Sequence, residues 1–203
     1  MELELQLSQT EETPYNSFVG VWQLNPAKEF CDELIDFFEN NTHIPKDKIS
    51  NSDKDDTEMC IYHTTNECIE LFKQEILIKC YREYCEKYSF CAAREVCSSI
   101  FKIQKYDLNE SYKAWHCERN NLDPMNISRH LVWMMYLNDI SDQGETEFFY
   151  QKLKIKPKAG KVLIWPCDWT HTHRGVASPT EKKYIITGWF QHRILHPINF
   201  NAT

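Results

Sequence analysis

Residues 165–175 read Trp-Pro-Cys-Asp-Trp-Thr-His-Thr-His-Arg-Gly, and residues 182–189 read Lys-Lys-Tyr-Ile-Ile-Thr-Gly-Trp. The first stretch offers two histidines one residue apart, His171 and His173. The second stretch begins with two basic residues and continues as an apolar, β-branched run, which is typical of a strand. Isolated histidines are more often packed or surface residues than ligands. The meaning of these stretches therefore depends on a fragment further upstream.

That upstream fragment is His116-Cys117-Glu118. In extended backbone, side chains two residues apart point to the same side, so His116 and Glu118 can reach one ion together. A third ligand must come from a distant strand, and His171 and His173 are the candidates. The period-two geometry cannot separate these two histidines, because both point the same way. Two imidazoles and one carboxylate form the ligand set that holds non-haem Fe(II) on one face and leaves the opposite positions open.

Size and charge limit the class of protein. The chain has 203 residues, which fits one domain over residues 1–203 with a sizeable core. The net charge of −7, without a dense basic block, predicts that nucleic acid is not a partner. The sequence contains no run of about 18 apolar residues, so it predicts no membrane span.

The nine cysteines are an odd number, and none of them forms a Cys-x-x-Cys pair. The amino-terminal residues also lack the basic start and apolar segment of a secretory signal. These features predict reduced thiols and a cytoplasmic protein rather than a disulfide scaffold or a zinc site. No motif indicates an oligomeric state.

The first half of the chain is predicted to be mainly helical. Residues 18–22 look like a short strand, and Asn25-Pro26 predicts a helix start, because Asn can cap a helix and Pro fits its first position. The charged residues 45–57 predict a loop. Apolar residues at three- and four-residue steps predict a long helix over residues 66–87.

After Cys97 the apolar pattern becomes that of short strands, which indicates an antiparallel sandwich or barrel. We therefore predict an α+β chain, with helical support over about 18–97 and a jelly-roll (double-stranded β-helix) core over about 98–195. The predicted strands are Ile100–Tyr106, Leu131–Leu137, Thr146–Gln151, Lys161–Trp165 and Tyr184–Phe190.

The order of these features resembles the 2-oxoglutarate/Fe(II) oxygenases, specifically the prolyl 4-hydroxylase-like branch. That branch places Lys or Arg nine or ten residues after the distal histidine, at the start of a strand that ends in Trp. Here 183 − 173 gives ten, whereas counting from His171 gives twelve, so the resemblance selects His173. The amino-acid sequence of residues 170–175 is most similar to that of small phage and marine-microbial members of this family. Other segments that resemble the family, within a match from about Phe101 to His192, are Arg129–Asn138, Gly144–Phe148 and Pro157–Pro166.

The resemblance implies that His116, Glu118 and His173 bind Fe(II). The family usually has Asp at the carboxylate position, and Glu118 changes the reach of that ligand but neither its charge nor its donor type. Lys183 is the candidate partner for the far carboxylate of 2-oxoglutarate, because a buried anion requires a paired charge. Further candidate groups of the cosubstrate pocket are Tyr136, Tyr106, Thr146 and Thr187.

The activity that the resemblance implies is hydroxylation of an unactivated C–H bond by Fe(II), 2-oxoglutarate and O2, with ascorbate as an accessory reductant. 2-Oxoglutarate would be converted to succinate and CO2. The expected substrate is a peptidyl proline or another protein side chain. One alternative is a free amino acid or other small metabolite, and an alternative of another class is a non-catalytic metal-binding jelly roll that senses or binds.

Substrate specificity is expected to lie in the loops around the mouth of the jelly roll. These loops are predicted at residues 45–60, 107–114, 119–128 and 167–172. Three tryptophans, Trp115, Trp133 and Trp169, either form an aromatic wall at that mouth or fill the core.

Overall fold

The structure is a computed structural model, and it describes residues 6–10, 13–62, 66–92, 96–98, 100–120 and 123–192. Its first half contains β1 (Gln6–Gln9), β2 (Gly20–Asn25), α1 (Lys28–Asn40), β3 (Asp47–Ser50), β4 (Asp55–Ile61), α2 (Glu67–Leu71), a π-helical segment (Phe72–Leu77) and α3 (Ile78–Lys87). Its second half contains β5 (Val96–Cys97), β6 (Phe101–Tyr106), α4 (Pro124–Ile127), β7 (Arg129–Tyr136), β8 (Thr146–Phe148), β9 (Leu153–Ile155), β10 (Lys161–Pro166), β11 (His173–Gly175) and β12 (Lys183–His192).

Two antiparallel sheets form the core of the fold. The larger has the strand order β1-β2-β10-β7-β12-β6-β4-β3, with β5 paired to β12, and the smaller has the order β11-β8-β9. The non-sequential order in the large sheet reflects crossovers between the sheets, as in a jelly roll. The predicted α+β fold with a jelly-roll core is confirmed. Residues 193–195, at the predicted end of that core, lie outside the described residues.

Strand β7 shows how the large sheet separates two apolar clusters. Trp133 and Met135 belong to a cluster that includes the buried faces of α1 and of the helix formed by α2, the π-helical segment and α3. Val132, Met134 and Tyr136 point to the opposite face and pack with residues of the small sheet. This alternation follows from the period of two in a strand, and it leaves β7 buried on both faces.

The helices differ from the predictions in detail. The helix predicted over residues 66–87 is present, and the Asn66 side chain accepts the N–H of Ile69, as an N-cap does. The predicted cap at Asn25-Pro26 is wrong: Asn25 ends β2, the Asn25-Pro26 peptide is cis, and α1 begins at Lys28. No helix within the described ranges is long and apolar enough to cross a membrane.

The charged segment 45–57 is a hairpin rather than the predicted loop, because β3 pairs with β4 and β4 pairs with β6. Some of its charges are paired within the sheet. The Lys54 ammonium lies 2.9 Å from Asp56 and 2.7 Å from Glu58, and Lys102 on β6 lies 2.9 Å from Glu58. Charge density is therefore compatible with strand structure when opposite charges face one another. The segment before residue 97, which was predicted to be helical support, also contributes four strands within the described residues. That residues 1–203 form a single domain stays a prediction.

Candidate active site

A cavity of about 310 Å³ opens between the two sheets. Its walls come from β6, β7, β10 and β12 of the large sheet and from β8 and β11 of the small one. A concave, partly apolar pocket with a few polar groups is the usual form of a ligand site. All eight residues that the sequence analysis selected line this cavity, namely His116, Glu118, His173, Lys183, Tyr136, Tyr106, Thr146 and Thr187.

Three of these side chains form a cluster that could hold one metal ion. Ligand atoms of His116, Glu118 and His173 all lie within 4.8 Å of one another. Glu118 Oε1 is 3.5 Å from His116 Nε2 and 3.7 Å from His173 Nε2. One oxygen and two imidazole nitrogens therefore converge on a single position, which suits a divalent cation that takes N and O ligands.

The backbone fixes the two imidazoles beside each other. His116 N–H donates to His173 O at 3.0 Å, and His173 N–H donates to His116 O at 2.9 Å. The Nδ1 atom of His116 lies 2.9 Å from Ala114 O, and that of His173 lies 2.9 Å from His171 O. Because a carbonyl only accepts, each Nδ1 carries the proton, and each Nε2 keeps its lone pair for an ion. Burial and the neighbouring His116 lower the pKa of His173 to about 4, which keeps that ring neutral.

The carboxylate is held by two residues that the sequence analysis missed. Trp189 Nε1 donates to Glu118 Oε2 at 2.9 Å, and Arg129 Nη1 donates to the same oxygen at 3.3 Å. Burial alone would raise the pKa of Glu118, but the contact with His116 and the charges of His173 and Arg129 outweigh it and set the pKa at about 2. The carboxylate is thus ionised, with Oε1 directed at the histidines. Arg129 is the first residue of a segment that the sequence analysis interpreted as an apolar strand. No sequence pattern indicated a role for its guanidinium group.

His116 is also fixed from its face. The Tyr112 ring stacks on its imidazole with centroids 3.6 Å apart and planes 7° apart. Backbone Gly175 N–H donates to Tyr112 O at 2.7 Å, which joins this tyrosine to the strand that carries His173. A period-two argument cannot detect such a contact, because Tyr112 is four residues from His116 and outside regular structure.

The structure separates the two histidines that the sequence left equivalent. His171 ends a 3-10 turn over Trp169–His171, while His173 begins β11. The buried His171 ring turns away from the cluster, and its Nε2 lies 2.9 Å from Ser17 O. The assumption of extended backbone through both residues was the reason that they seemed to point the same way.

Lys183 is a buried cation deep in the cavity. Its side chain is 5% exposed, and its ammonium donates to Gly144 O at 3.0 Å and to Val176 O at 3.3 Å. The ammonium lies 4.9 Å from the centroid of the Tyr106 ring. No ion pair to Lys183 exists within the described part of the chain. Burial lowers its pKa from 10.5 to about 8, although Glu145 opposes the shift. Lys182 instead points to solvent and lies 3.4 Å from Asp107.

The four predicted side chains with hydroxyl groups line the same cavity as this cation. Tyr136 Oη and Thr146 Oγ1 are 2.6 Å apart, and Tyr136 Oη also donates to Ile155 O at 3.2 Å. Tyr106 Oη donates to Gln104 Oε1 at 3.3 Å, which leaves its oxygen able to accept. Thr187 Oγ1 donates to Trp133 O at 2.8 Å, so its proton is used within the sheet.

Two buried donors in the cavity wall lack a partner among the described residues. Trp165 Nε1 and Arg129 Nε are buried without a hydrogen bond, although both side chains line the cavity. A buried donor without an acceptor is costly, so each marks a place where a ligand oxygen would be favourable. An unpaired cation, nearby hydroxyls and an unused indole N–H fit an elongated dicarboxylate, and the His-Glu-His cluster fits a divalent metal.

A network of paired charges forms another wall of the cavity. Lys54, Glu58, Lys102 and Gln104 line it, and Gln104 Nε2 donates to Asp56 Oδ2 at 2.9 Å. Burial would raise the pKa of Glu58, but Lys54 and Lys102 outweigh it and hold that pKa at about 2. Burial raises the pKa of Asp56 to about 6 despite the opposing charge of Lys54. These residues lie in the predicted specificity segment 45–60 and on the adjacent strand β6.

The three tryptophans have different positions. Trp133 packs in the core against Phe72 and Phe101, with ring centroids 5.4 and 4.8 Å away, so it is not part of an aromatic wall. Trp115 and Trp169 are exposed at the surface, and Trp115 directly precedes His116 in the sequence. Sequence alone could not show which tryptophans line the mouth and which fill the core, because both roles suit the same residue type.

Comparison with known proteins agrees with this site. A family model described as the 2OG-Fe(II) oxygenase superfamily matches residues 101–191. These residues include all three members of the metal cluster and all five predicted cosubstrate groups. No curated protein matches the sequence.

Several solved structures share the fold at low sequence identity. A viral collagen prolyl hydroxylase from Paramecium Bursaria Chlorella virus-1, solved with 2OG, has a TM-score of 0.66 and 19% identity, over 92% of this chain and 96% of that chain. A Pseudomonas putida prolyl-4-hydroxylase has a TM-score of 0.62 and 15% identity, over 93% of both chains. A Trichoplax adhaerens prolyl hydroxylase, in complex with a hypoxia inducible factor peptide fragment, has a TM-score of 0.60 and 14% identity, over 92% and 83%.

The two-sheet fold and the matched family define an Fe(II)- and 2-oxoglutarate-dependent dioxygenase, which takes O2 as its second cosubstrate. Residues 101–191 match the 2OG-Fe(II) oxygenase superfamily, and the chain has the fold of the prolyl 4-hydroxylases to which it is similar. The predicted family, enzyme class and cofactors are therefore confirmed.

Proposed function

We propose that this protein hydroxylates a side chain within a peptide or protein, with a prolyl residue as the first substrate to test. The observation that carries the proposal is the common cavity that holds the His116–Glu118–His173 cluster and the buried, unpaired cation of Lys183. The likeness to prolyl hydroxylases of three different sources supports the choice of substrate.

We assign the metal to His116 Nε2, Glu118 Oε1 and His173 Nε2. Bound Fe(II), together with 2-oxoglutarate and O2, supplies an oxidant that converts a C–H bond to an alcohol while 2-oxoglutarate becomes succinate and CO2. The protein keeps the ligands in place before metal arrives. The backbone bridge fixes the two histidines, and the donors Trp189 and Arg129 keep Glu118 ionised and oriented.

We assign the far carboxylate of 2-oxoglutarate to Lys183. The ammonium already sits among hydrogen-bond acceptors, and an anion would give it the charge partner that it lacks. The Thr146 hydroxyl, which can accept from Tyr136, would donate to the same carboxylate, and Trp165 Nε1 would donate to a ligand oxygen along the cavity wall. Because these groups are buried, the ligand is held where water is excluded.

A free amino acid or other small metabolite is the second candidate substrate. The observation that favours it is the wall formed by Lys54, Glu58 and Lys102, whose mutual ion pairs make one side of the cavity polar. A cytoplasmic location is also part of our proposal, and it is supported by the nine cysteines, all of which are free thiols.

The first experiment is anaerobic loading with Fe(II), followed by 2-oxoglutarate. We expect a weak visible charge-transfer band of the chelate, then slow succinate formation when oxygen is admitted. A panel of proline-containing peptides and free amino acids is then screened for accelerated succinate release and for a product 16 Da heavier. Iron binding without the band or succinate would contradict the assignment of the cosubstrate pocket. Acceleration by free amino acids but by no peptide would select the second candidate.

A further inference from the structure

Two cysteine thiols lie in contact on the helix-covered side of the large sheet, outside the cavity. Cys85 is in the last turn of α3, and Cys91 ends the 3-10 turn Ser89–Cys91 that follows the helix. Their sulfur atoms are 3.4 Å apart. Both side chains are half-buried, and the side chain of Phe90 in the same turn is 99% exposed. The thiol pair is therefore close enough to cross-link and lies in a turn that solvent reaches.

The sulfur of Cys85 is the hydrogen-bond acceptor of the pair. Cys91 S–H donates to Cys85 Sγ, and Tyr81, one helical turn earlier, forms a side-chain hydrogen bond with the same cysteine. Burial and the contact with Cys85 raise the pKa of Tyr81 and raise that of Cys91 to about 12, so both neighbours keep their protons. Donors directed at a sulfur favour its thiolate, which is the form that reacts with oxidants. Cys85 is thus the thiol that reacts first.

Cys91 contacts a residue that adjoins one of the two donors to Glu118. His130 Nε2 lies 2.9 Å from Cys91 O, and it donates because a carbonyl only accepts. Arg129, the preceding residue, donates to Glu118 O at 3.1 Å and to Glu118 Oε2 at 3.3 Å. Successive residues of a strand face opposite sides of the sheet, so His130 reaches the turn while Arg129 reaches the cavity. A movement of Cys91 is therefore passed through β7 to Arg129.

Tyr81 provides a second connection to the same carboxylate. Its ring packs on that of Phe190, with centroids 4.5 Å apart and planes at 39°. Phe190 follows Trp189, whose indole N–H donates to Glu118 Oε2 at 2.9 Å. The pairing of β12 with β7 is irregular between Phe190 and Gln191. Both side chains that hold Glu118 consequently have a chain neighbour in contact with the thiol pair or with its tyrosine.

We propose that Cys85 and Cys91 form a reversible disulfide, which shifts the two donors to Glu118 and so weakens metal binding. Formation of the disulfide is independent of the proposed function, whereas its effect on metal rests on the site assigned there. The bond brings the sulfurs from 3.4 Å to about 2.05 Å and moves the turn that carries Cys91 O. In the cytosol a disulfide of this kind is usually transient and redox-sensing.

The oxidant is a peroxide, and the reaction has two steps. The Cys85 thiolate attacks one oxygen of H2O2, the O–O bond breaks, and the hydroxide that leaves takes up a proton to become water. The sulfur of Cys91 then attacks the Cys85 sulfenic acid, the S–O bond breaks, and the thiol proton leaves with hydroxide as a second water. The two thiols lose two electrons, which the peroxide gains. Two glutathione thiols reverse the reaction by exchange and become glutathione disulfide.

The test uses the full-length protein without metal, so that bound iron does not react with the peroxide. After treatment with H2O2 and removal of the excess, free thiols are blocked and the protein is digested with trypsin. Trypsin cuts after Lys87, so the disulfide joins peptides 83–87 and 88–94, with a mass two hydrogens below their sum. A parallel sample is titrated with Mn(II). We expect roughly tenfold weaker binding than for the reduced protein, and recovery after treatment with glutathione.

Two variants separate this pair from the other thiols. Cys91→Ser should form no linked peptide and should keep its Mn(II) affinity after peroxide. The matched control is Cys97→Ser, which removes an exposed thiol outside the pair and should retain both the linked peptide and the loss of affinity.

Three results would each overturn the inference: an oxygen adduct on either cysteine without the linked peptide, a disulfide-linked dimer in its place, or equal Mn(II) affinities of the reduced and oxidised protein. Failure of the reduced wild type to bind Mn(II) would instead contradict the proposed metal site, and with it the effect on metal, whether or not the linked peptide forms. The two failures are therefore distinguishable.

Discussion

Replacing Lys183 with methionine removes the buried charge but keeps an unbranched, apolar side chain of similar length. In the structure Lys183 is 5% exposed, and its ammonium has two carbonyl acceptors but no ion-pair partner among the described residues. Burial lowers its pKa from 10.5 to about 8. Since one pKa unit corresponds to 1.36 kcal/mol, the charged form is destabilised by about 3 kcal/mol relative to water.

A bound carboxylate changes this balance, because it supplies the missing charge partner. Breaking a buried ion pair by removing one member costs about 3–5 kcal/mol. We therefore expect Lys183→Met to raise the dissociation constant of 2-oxoglutarate by at least roughly 100-fold, with Mn(II) affinity unchanged. Lys182→Met is the matched control, since that side chain is 55% exposed and pairs with Asp107 at the surface.

The pH dependence gives a second signature. With the empty-site pKa at about 8, the lysine is mostly charged at pH 7 and mostly neutral at pH 9. A carboxylate binds the charged form, so wild-type affinity should fall up to tenfold per pH unit above pH 8, and binding at pH 8 should take up about half a proton. Isothermal titration calorimetry in buffers of different ionisation enthalpy measures that uptake. Lys183→Met should show neither effect.

The same substitution should stabilise the empty protein. Because the folded-state pKa of Lys183 is below its unfolded value, the unfolded chain binds more protons between about pH 8 and 10.5, and wild-type stability rises with pH in that window. At pH 7 methionine removes the full penalty of about 3 kcal/mol, offset by about 1 kcal/mol for each of two carbonyls that lose a donor. We expect a net gain of about 1 kcal/mol in urea unfolding. A variant that binds 2-oxoglutarate normally, or keeps the wild-type pH profile, would refute this account of Lys183.

Three other substitutions test the site. His173→Ala should abolish metal binding and turnover, whereas His171→Ala should retain most of both, as measured by metal titration and succinate release; the reverse result would move the ligand to His171. Trp165→Phe should weaken 2-oxoglutarate binding about five- to tenfold through loss of one donor, with Mn(II) affinity unchanged, while Trp133→Phe should leave ligand binding unaltered. Glu58→Gln should lower the unfolding free energy by up to about 3 kcal/mol at pH 7, because the folded-state pKa of about 2 is below the unfolded value of 4.5. That difference should shrink as pH falls from about 4.5 to 2, and a constant difference across this range would contradict the role of the carboxylate charge.

The sequence was sufficient for the features that depend on periodicity and spacing. Strands β7 and β12 are long apolar runs buried on both faces, so their pattern identified them without tertiary information. The ten-residue interval between His173 and Lys183 reflects the passage from β11 to β12, and the structure places both residues in one cavity. Residues that act through such local spacing can be located from sequence, although their assigned roles stay predictions.

Features that depend on contacts between distant segments could not be predicted. The hairpin at 45–57 looked like a loop because it carries many charges. The sequence does not show that Lys102, on another strand, pairs with Glu58 at the end of this hairpin. Arg129 and Trp189 meet Glu118 only in the folded chain. The exposed rings of Trp115, Phe149, Tyr150 and Trp169 likewise come from three segments, none of which is unusual by itself. Contacts between distant segments leave no periodic pattern in the sequence, so a reading of sequence patterns cannot predict them.

The paired backbone hydrogen bonds between His116 and His173 bear on which metal the protein acquires in a cell. They set the spacing of the two proposed histidine ligands before any ion arrives, so we expect this spacing to be the same for competing divalent ions. Nitrogen and oxygen ligands bind divalent ions in the order Mn < Fe < Co < Ni < Cu, with Zn below Cu. The supply of metal inside the cell therefore decides whether iron is bound. Nickel, copper or zinc should each displace iron and inhibit turnover when the concentration of that metal rises.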